Sequence, residues 1–266
     1  MQVRFKGLMA AAALAWASVV GAAPVTVPLQ WSNGPAPTQP EPLTGRSLLV
    51  FSEDFLGVMN TMPLKVYTSY ASLNFDQKVV WTQDGDGNYT HVAYRTPMAS
   101  ITHDSATSTV LSADWINGGI SFQMITPTPG VANGGAFFLH NISIDLENQV
   151  IRGIGLGMTA NDYIDFGWVD LWSIGSISGD PTWGPAAEAG EFQMVFSDLS
   201  LTTQGRQAII DSLRLLKPGV DTLDSVQDFG TITMSLAVPE PSAYLLVLAG
   251  IGMVGIRLKR RRLSQD

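Results

Sequence analysis

Three tryptophans lie close together in the second half of the chain and are the residues best suited to hold a ligand. They are Trp168, Trp172 and Trp183, and Tyr163 and Phe166 lie nearby. The alternation of side chains along a β-strand places Trp168 and Trp172 on the same face. Flat indole rings beside carboxylates suit the stacking of sugar rings, so the group predicts a polysaccharide-binding platform. A shared face of the hydrophobic core is the competing interpretation.

Carboxylates in the same region offer a second kind of chemistry. Asp162, Asp165 and Asp170 lie in and around one predicted strand, beside Trp168. A glycosidase uses two such groups on either side of the bond that it breaks. Solvated sheet edges carry acids in the same pattern. We therefore predict no catalytic residue and keep a glycan hydrolase or lyase that uses surface carboxylates as the enzymatic alternative.

The stretch Asp-Gly-Asp-Gly-Asn at positions 84–88 has side-chain oxygens at alternate positions, like the start of a calcium loop. The metal candidates in it are Asp84, Asp86 and Asn88. An EF-hand requires Gly at its sixth position and Glu at its twelfth, and this chain has Tyr89 and Arg95 there. We interpret the stretch as the turn of a β-hairpin, with calcium binding as the alternative.

The composition excludes several classes of site. The chain contains no cysteine, which excludes disulfides, thiolate zinc sites, iron–sulfur clusters and a cysteine nucleophile. The sequence also lacks a Gly-x-Ser-x-Gly elbow, a His-Glu-x-x-His zinc motif and a glycine-rich phosphate loop. We therefore expect no cofactor.

The first 22 residues have the three parts of a secretory signal peptide. Arg4 and Lys6 precede an uncharged apolar run over residues 8–20, and small residues follow it. We predict export through the Sec translocon and cleavage by signal peptidase after Ala22. Residues 23–46 then form a proline-rich lead-in to the exported domain.

The C-terminus has a tripartite pattern. Pro239, Glu240 and Pro241 precede an uncharged apolar run over residues 243–256. A helix over that run is about 21 Å long, against roughly 30 Å of hydrocarbon, but long basic side chains extend its reach. We therefore predict a transmembrane helix, whose cytoplasmic end is set by the basic cluster that follows. The cluster contains Arg257, Lys259, Arg260, Arg261 and Arg262.

This pattern over residues 238–262 resembles the PEP-CTERM sorting signal of Gram-negative bacteria. The resemblance implies that an exosortase, a transpeptidase-like enzyme of the inner membrane, recognises the chain. It also implies that the C-terminal helix first anchors the protein in the inner membrane. Processing then delivers it to the cell surface or the medium, in the company of extracellular polysaccharide. The resemblance assigns no activity to residues 47–237.

The net charge of the chain changes when the two export segments are left out. The whole chain has 15 Lys and Arg and 23 Asp and Glu. Residues 23–237, between the export segments, contain eight of the cations and 21 of the acids and so have a net charge of −13. Such a surface repels phosphate backbones, so we expect no nucleic-acid partner.

Residues 47–237 alternate apolar and polar side chains between Gly, Asn and Asp turns, which predicts about ten strands. Residues 25–27 add a short edge strand. One helix follows Thr202 or Thr203, has Ile209 and Leu213 on its apolar stripe, and ends at Pro218. The sequence therefore predicts an all-β fold, an antiparallel β-sandwich or jelly-roll-like domain with one short helix.

A further resemblance concerns the same domain. Residues 134–146, 192–199 and 201–206 are similar in layout to haem-transport-associated β-domains, although no haem ligand residue matches. Our main expectation is an exported cell-envelope or extracellular-matrix protein that is non-enzymatic and binds polysaccharide. The glycan-active enzyme is the first alternative and a haem-binding β-domain is the second.

Overall fold

The fold is taken from a computed structural model of the chain. The structure describes residues 23–29, 44–68, 78–115, 118–182 and 191–237. Trp183, the predicted signal peptide, most of the lead-in and the predicted C-terminal helix lie outside these ranges. No helix within the described ranges is long and apolar enough to cross a bilayer.

The described residues form twelve β-strands and three short helices. The strands are β1 (Pro24–Pro28), β2 (Thr44–Phe51), β3 (Lys65–Thr68), β4 (Lys78–Gln83), β5 (Tyr89–Asp104), β6 (Val110–Trp115), β7 (Gly119–Met124), β8 (Gly135–Asp145), β9 (Val150–Met158), β10 (Tyr163–Gly179), β11 (Glu191–Leu201) and β12 (Gly230–Ala237). The helices are α1 (Glu53–Thr61), α2 (Thr203–Leu213) and α3 (Lys217–Asp224).

Eight of these strands close into an antiparallel barrel. Their order is β5-β2-β12-β11-β10-β9-β8-β6, and β6 pairs back with β5. Strands β1 and β4 pair with β5 outside this ring, and β7 and β3 extend from β8. Closure depends on β8 changing partner, because it pairs with β7 as far as His140 and with β6 from Ser143. The all-β prediction is confirmed, but the predicted sandwich or jelly-roll is wrong.

An aromatic core fills the interior. The ring of Phe55 in α1 lies 5.0 Å from that of Phe51 and 5.0 Å from that of Phe229. The fully buried Trp172 packs edge-on against Phe122, with 6.2 Å between ring centroids. Helix α1 was not among the predicted elements. Its start is nevertheless visible in the sequence, because Ser52 caps it by accepting a hydrogen bond from the Phe55 N–H at 3.1 Å.

Helix α2 packs closely against β8, β9 and β10. Two glycines permit this approach. A Cβ on Gly135 would lie 2.0 Å from the Ser212 carbonyl oxygen, and one on Gly157 would lie 2.6 Å from the Ser212 hydroxyl. Ser212 lies near the end of α2. The start of the helix approaches β10 through Gly205, where a Cβ would lie 2.4 Å from the Leu171 carbonyl oxygen.

The predicted helix is confirmed as α2, but its predicted end is wrong. The Thr202 hydroxyl caps α2 by accepting from the Gly205 N–H at 2.9 Å. The helix ends at Leu213, where Arg214 turns into the left-handed region with φ 53°. Pro218 lies in the first turn of α3, because the fixed φ of proline suits a helix start and its missing N–H has no helical acceptor there.

Candidate functional site

The outer face of the barrel carries a band of hydrogen-bonding side chains that crosses five neighbouring strands. The band consists of two rows that run across the strands. Within each row, every residue is paired with the next one on the neighbouring strand. Core residues such as Ala113 and Ile144 alternate with the band and point inward. The polar band, as we call it, comprises Ser100, Asp114, Ser143, Arg152 and Asp170 in one row and Thr102, Ser112 and Asp145 in the other.

A cleft of about 510 Å³ lies over this band. Six residues of the polar band line it, together with Pro24, Leu111, Glu147 and Trp168. The Trp168 side chain is 56% exposed, which is unusual for so large an apolar group. The volume lies in the range of small-molecule sites, and the cleft combines an aromatic wall with many hydrogen-bonding groups.

Two β-bulges in β10 decide which tryptophan reaches this cleft. The register shifts between Asp165 and Gly167 and again between Asp170 and Trp172. Each bulge adds a residue to one strand and so reverses which face the next side chains occupy. Trp168 therefore points outward while Trp172 is fully buried. The prediction that both lie on one face is wrong, and Trp172 has no exposed ring face to offer a ligand.

The start of α2 holds the backbone at Trp168 and two residues after it. Gln204 donates from Nε2 to the Trp168 carbonyl at 2.9 Å and accepts the Asp170 N–H at Oε1 at 3.0 Å. The Thr202 hydroxyl donates to the Asp170 carbonyl. These bonds fix the segment between the two bulges, so the exposed position of Trp168 is preorganised.

Two carboxylates of the polar band are held by other side chains. Asp145 forms an ion pair with Arg152 and accepts hydrogen bonds from the Asn148 N–H at 3.0 Å and from its Nδ2 at 2.9 Å. Asp114 accepts the Ser100 hydroxyl at 2.7 Å. The floor of the cleft is therefore a rigid set of acceptors and donors with one cation, Arg152.

The three carboxylates predicted from the sequence are not brought together. Asp165 accepts the Gly167 N–H at 2.9 Å and thereby shapes the first bulge. Asp162 lies in the turn before β10, where its N–H donates to the Thr159 hydroxyl at 3.0 Å. Only Asp170 belongs to the polar band.

Sequence reasoning missed the acids and the cation that do line the cleft: Asp114, Asp145, Glu147 and Arg152. The alternation of polar and apolar residues in β6 and β8 was a visible signal that Asp114 and Asp145 face outward, whereas Glu147 lies in the turn after β8 and Arg152 lies in β9. The missing information was that β6 joins β5 to β8, because only this pairing aligns their side chains.

The stretch at 84–88 is the turn of the hairpin between β4 and β5, as predicted. Asp84 Oδ1 accepts the N–H groups of Asp86 and Asn88, both at 2.9 Å, and Oδ2 accepts from the Asn88 Nδ2 at 3.1 Å. The Asn88 side chain is the main reason that the pKa of Asp84 lies below its ordinary value. The Asp84 oxygens thus serve the turn. In the described part of the chain, no three His, Asp or Glu side chains are arranged to hold a metal.

Comparison with known protein families concerns the end of the chain. The family described as the PEP-CTERM protein-sorting motif matches residues 237–262. The chain carries a PEP-CTERM sorting signal. This confirms the predicted resemblance, since the match includes Pro239, Glu240, Pro241 and the basic cluster. The signal implies an exported cell-surface protein with an exosortase as its processing partner. No curated protein and no solved structure matches the chain.

Proposed function

We propose that the barrel of this PEP-CTERM protein is a non-enzymatic, saccharide-binding module, with the cleft over the polar band as its site. The observation that carries the proposal is the exposed Trp168 beside a floor of fixed hydrogen-bonding groups. A sugar ring presents an apolar face, which packs on an aromatic ring, and hydroxyl groups, which require donors and acceptors. The cleft supplies both.

The contacts of Asp145 and Asp114 in the cleft support binding rather than catalysis. A glycosidase requires one carboxyl group that gives up a proton and a second that attacks the sugar or activates a water. Asp145 already serves Arg152 and Asn148, and Asp114 serves Ser100. Carboxylates with such fixed partners are suited to accept hydrogen bonds from sugar hydroxyls.

We further propose the route that brings this module to the surface. Signal peptidase removes residues 1–22 after Sec export, and the C-terminal helix retains the protein in the inner membrane until the exosortase acts. Residues 47–237, together with β1 and the first residues of β2 from the lead-in, then serve as the functional domain at the surface or in the extracellular matrix. The haem-binding alternative has no support from a particular side chain among the described residues.

A test is calorimetric titration of the mature exported protein with neutral, cationic and anionic polysaccharides. Replacing the indole in Trp168→Ala is expected to weaken binding roughly tenfold or more, because a well-packed aromatic anchor contributes that much to an interface. Trp81→Ala is the matched control, because Trp81 is 54% exposed on β4 and does not line the cleft. Equal losses in both variants, or no binding by the unmodified protein, would overturn the proposal.

A further inference from the structure

A second cleft of about 540 Å³ adjoins the first. The two share Pro24, Leu111 and Glu147 in their walls, so they form one joined groove. The second cleft lies at the end of the barrel, beside the turn that follows β5, and Asp104 is in its wall. The groove therefore has room for more than one sugar unit and suits a polymer better than a single sugar.

The joined groove is strongly acidic. Its walls contain Asp104, Asp114, Asp145 and Glu147, against Arg152 as the one cation among the residues that line the two clefts. Arg152 is already paired with Asp145. The walls thus have a net charge of −3, and carboxylates outnumber the cation at both ends of the groove.

This charge discriminates among saccharides. A polymer of uronate, sulfate or phosphate units brings negative charge into a groove that already repels it. The net charge of −13 over residues 23–237 adds to that repulsion. A protonated amine, in contrast, forms charge-assisted hydrogen bonds with carboxylates, which are stronger than those of a neutral hydroxyl.

We propose that the groove binds a cationic polysaccharide, one whose sugar units carry amines without acetyl groups. This inference rests on the proposed saccharide-binding function and names its ligand class. Trp168 packs against the apolar face of one unit, and the carboxylates of Asp114 and Glu147 receive ammonium groups. Asp104 offers Oδ2, because its Oδ1 accepts the N–H groups of Ala106 and Thr107 in the turn after β5. Acidic residues alone would not identify a site, but here they line a cleft with an exposed indole.

The test compares three probes on the mature exported protein in mildly acidic buffer: chitosan, chitin and cellulose hexamers. We expect the chitosan hexamer to bind at least about tenfold more tightly than the other two. The preference should shrink as salt is raised, because salt screens exposed charges. An alginate oligomer should not bind.

Two variants connect this preference to the groove. Glu147→Gln and Asp114→Asn should each weaken chitosan binding severalfold and chitin binding by a clearly smaller factor, because the amide oxygen still accepts a hydrogen bond from a sugar hydroxyl but has lost the charge that attracts an ammonium group. Asp86→Asn is the control, because it removes one acid at the exposed tip of a hairpin that does not line the groove.

The outcomes separate the two proposals. Equal affinity for the three hexamers would overturn the amino-sugar inference and leave the saccharide site intact. No binding of any hexamer would overturn the saccharide site itself. Two further results would show unspecific charge attraction and would also overturn the inference. The first is that Asp86→Asn weakens chitosan binding as much as Glu147→Gln does. The second is that Trp168→Ala leaves chitosan binding unchanged.

Discussion

The exposed position of Trp168 depends on a side chain that does not line the cleft. Gln204 reaches from α2 to β10 and bonds the backbone at the Trp168 carbonyl and at the Asp170 N–H. Exposed aromatic rings bind best when their position is fixed in advance, because fixing them on binding costs conformational entropy. Gln204 is therefore a positioning residue for the proposed site.

Gln204→Leu tests this role. The variant loses both bonds to β10 and should bind saccharide severalfold more weakly, with a loss of about 1–2 kcal/mol in unfolding free energy for two partly exposed hydrogen bonds. Affinity is measured by calorimetry and stability by urea denaturation. The matched control is Gln207→Leu, one turn further along α2, where the side chain bonds only Asp211 of its own helix. A Gln204 variant that loses stability but keeps its affinity would refute the positioning role.

At the scale of elements, α2 and the sheet are fitted to each other by glycines. The Ser212 carbonyl of α2 approaches Gly135 so closely that any side chain there would displace the helix. The helix also positions Gln204. Packing at Gly135 and the geometry of the site are thus coupled, although most of the length of α2 separates Ser212 from Gln204.

Gly135→Ala should destabilise the protein by about 1–3 kcal/mol, because the new methyl group meets backbone atoms rather than a movable side chain. Gly57→Ala is the control, since Gly57 lies in α1 and a methyl group added there would have no neighbouring atom within 4 Å. There the change should stabilise the protein by roughly 0.5–1 kcal/mol, because alanine is the better helix former. Urea denaturation measures both values. Similar destabilisation in the two variants would show that the approach of α2 does not depend on Gly135.

The elements themselves were largely visible in the sequence, whereas their arrangement was not. The sequence pattern predicts strands over residues 78–83 and 150–158, which are the bounds of β4 and β9, because each is a short run between turns. The bulges of β10 escaped prediction, since strict alternation cannot show where one residue is added to a strand. Closure of the barrel could not be predicted for a related reason. It depends on the pairing of β6 with both β5 and β8, and alternation within one strand does not show which strands pair. The cleft exists only after that closure, so its acids could not be grouped beforehand.

At the scale of the whole molecule, the sorting signal begins where the barrel ends. Ala237 is the last residue of β12, where it lies opposite Thr44 of β2 and Glu191 of β11, and the family match starts at this residue. Strand β12 therefore has its ring partners before the motif at Pro239 is reached. All eight strands of the ring lie at or before Ala237, so we expect removal of the tail to leave the fold and the proposed groove intact.

The chain contains an internal control for the role of the tail. The tripeptide Pro-Glu-Pro occurs twice, at residues 239–241 and at residues 40–42, but only the copy at 239–241 is followed by an apolar run and a basic cluster. If an exosortase reads the complete tripartite signal, alanines at 239–241 should keep the protein membrane-bound with its tail, as detected by fractionation and intact-mass spectrometry. Alanines at 40–42 should change neither the release of the protein from the membrane nor the removal of its tail. Release of the first variant, or retention of the second, would mean that the tripeptide next to the barrel does not direct sorting.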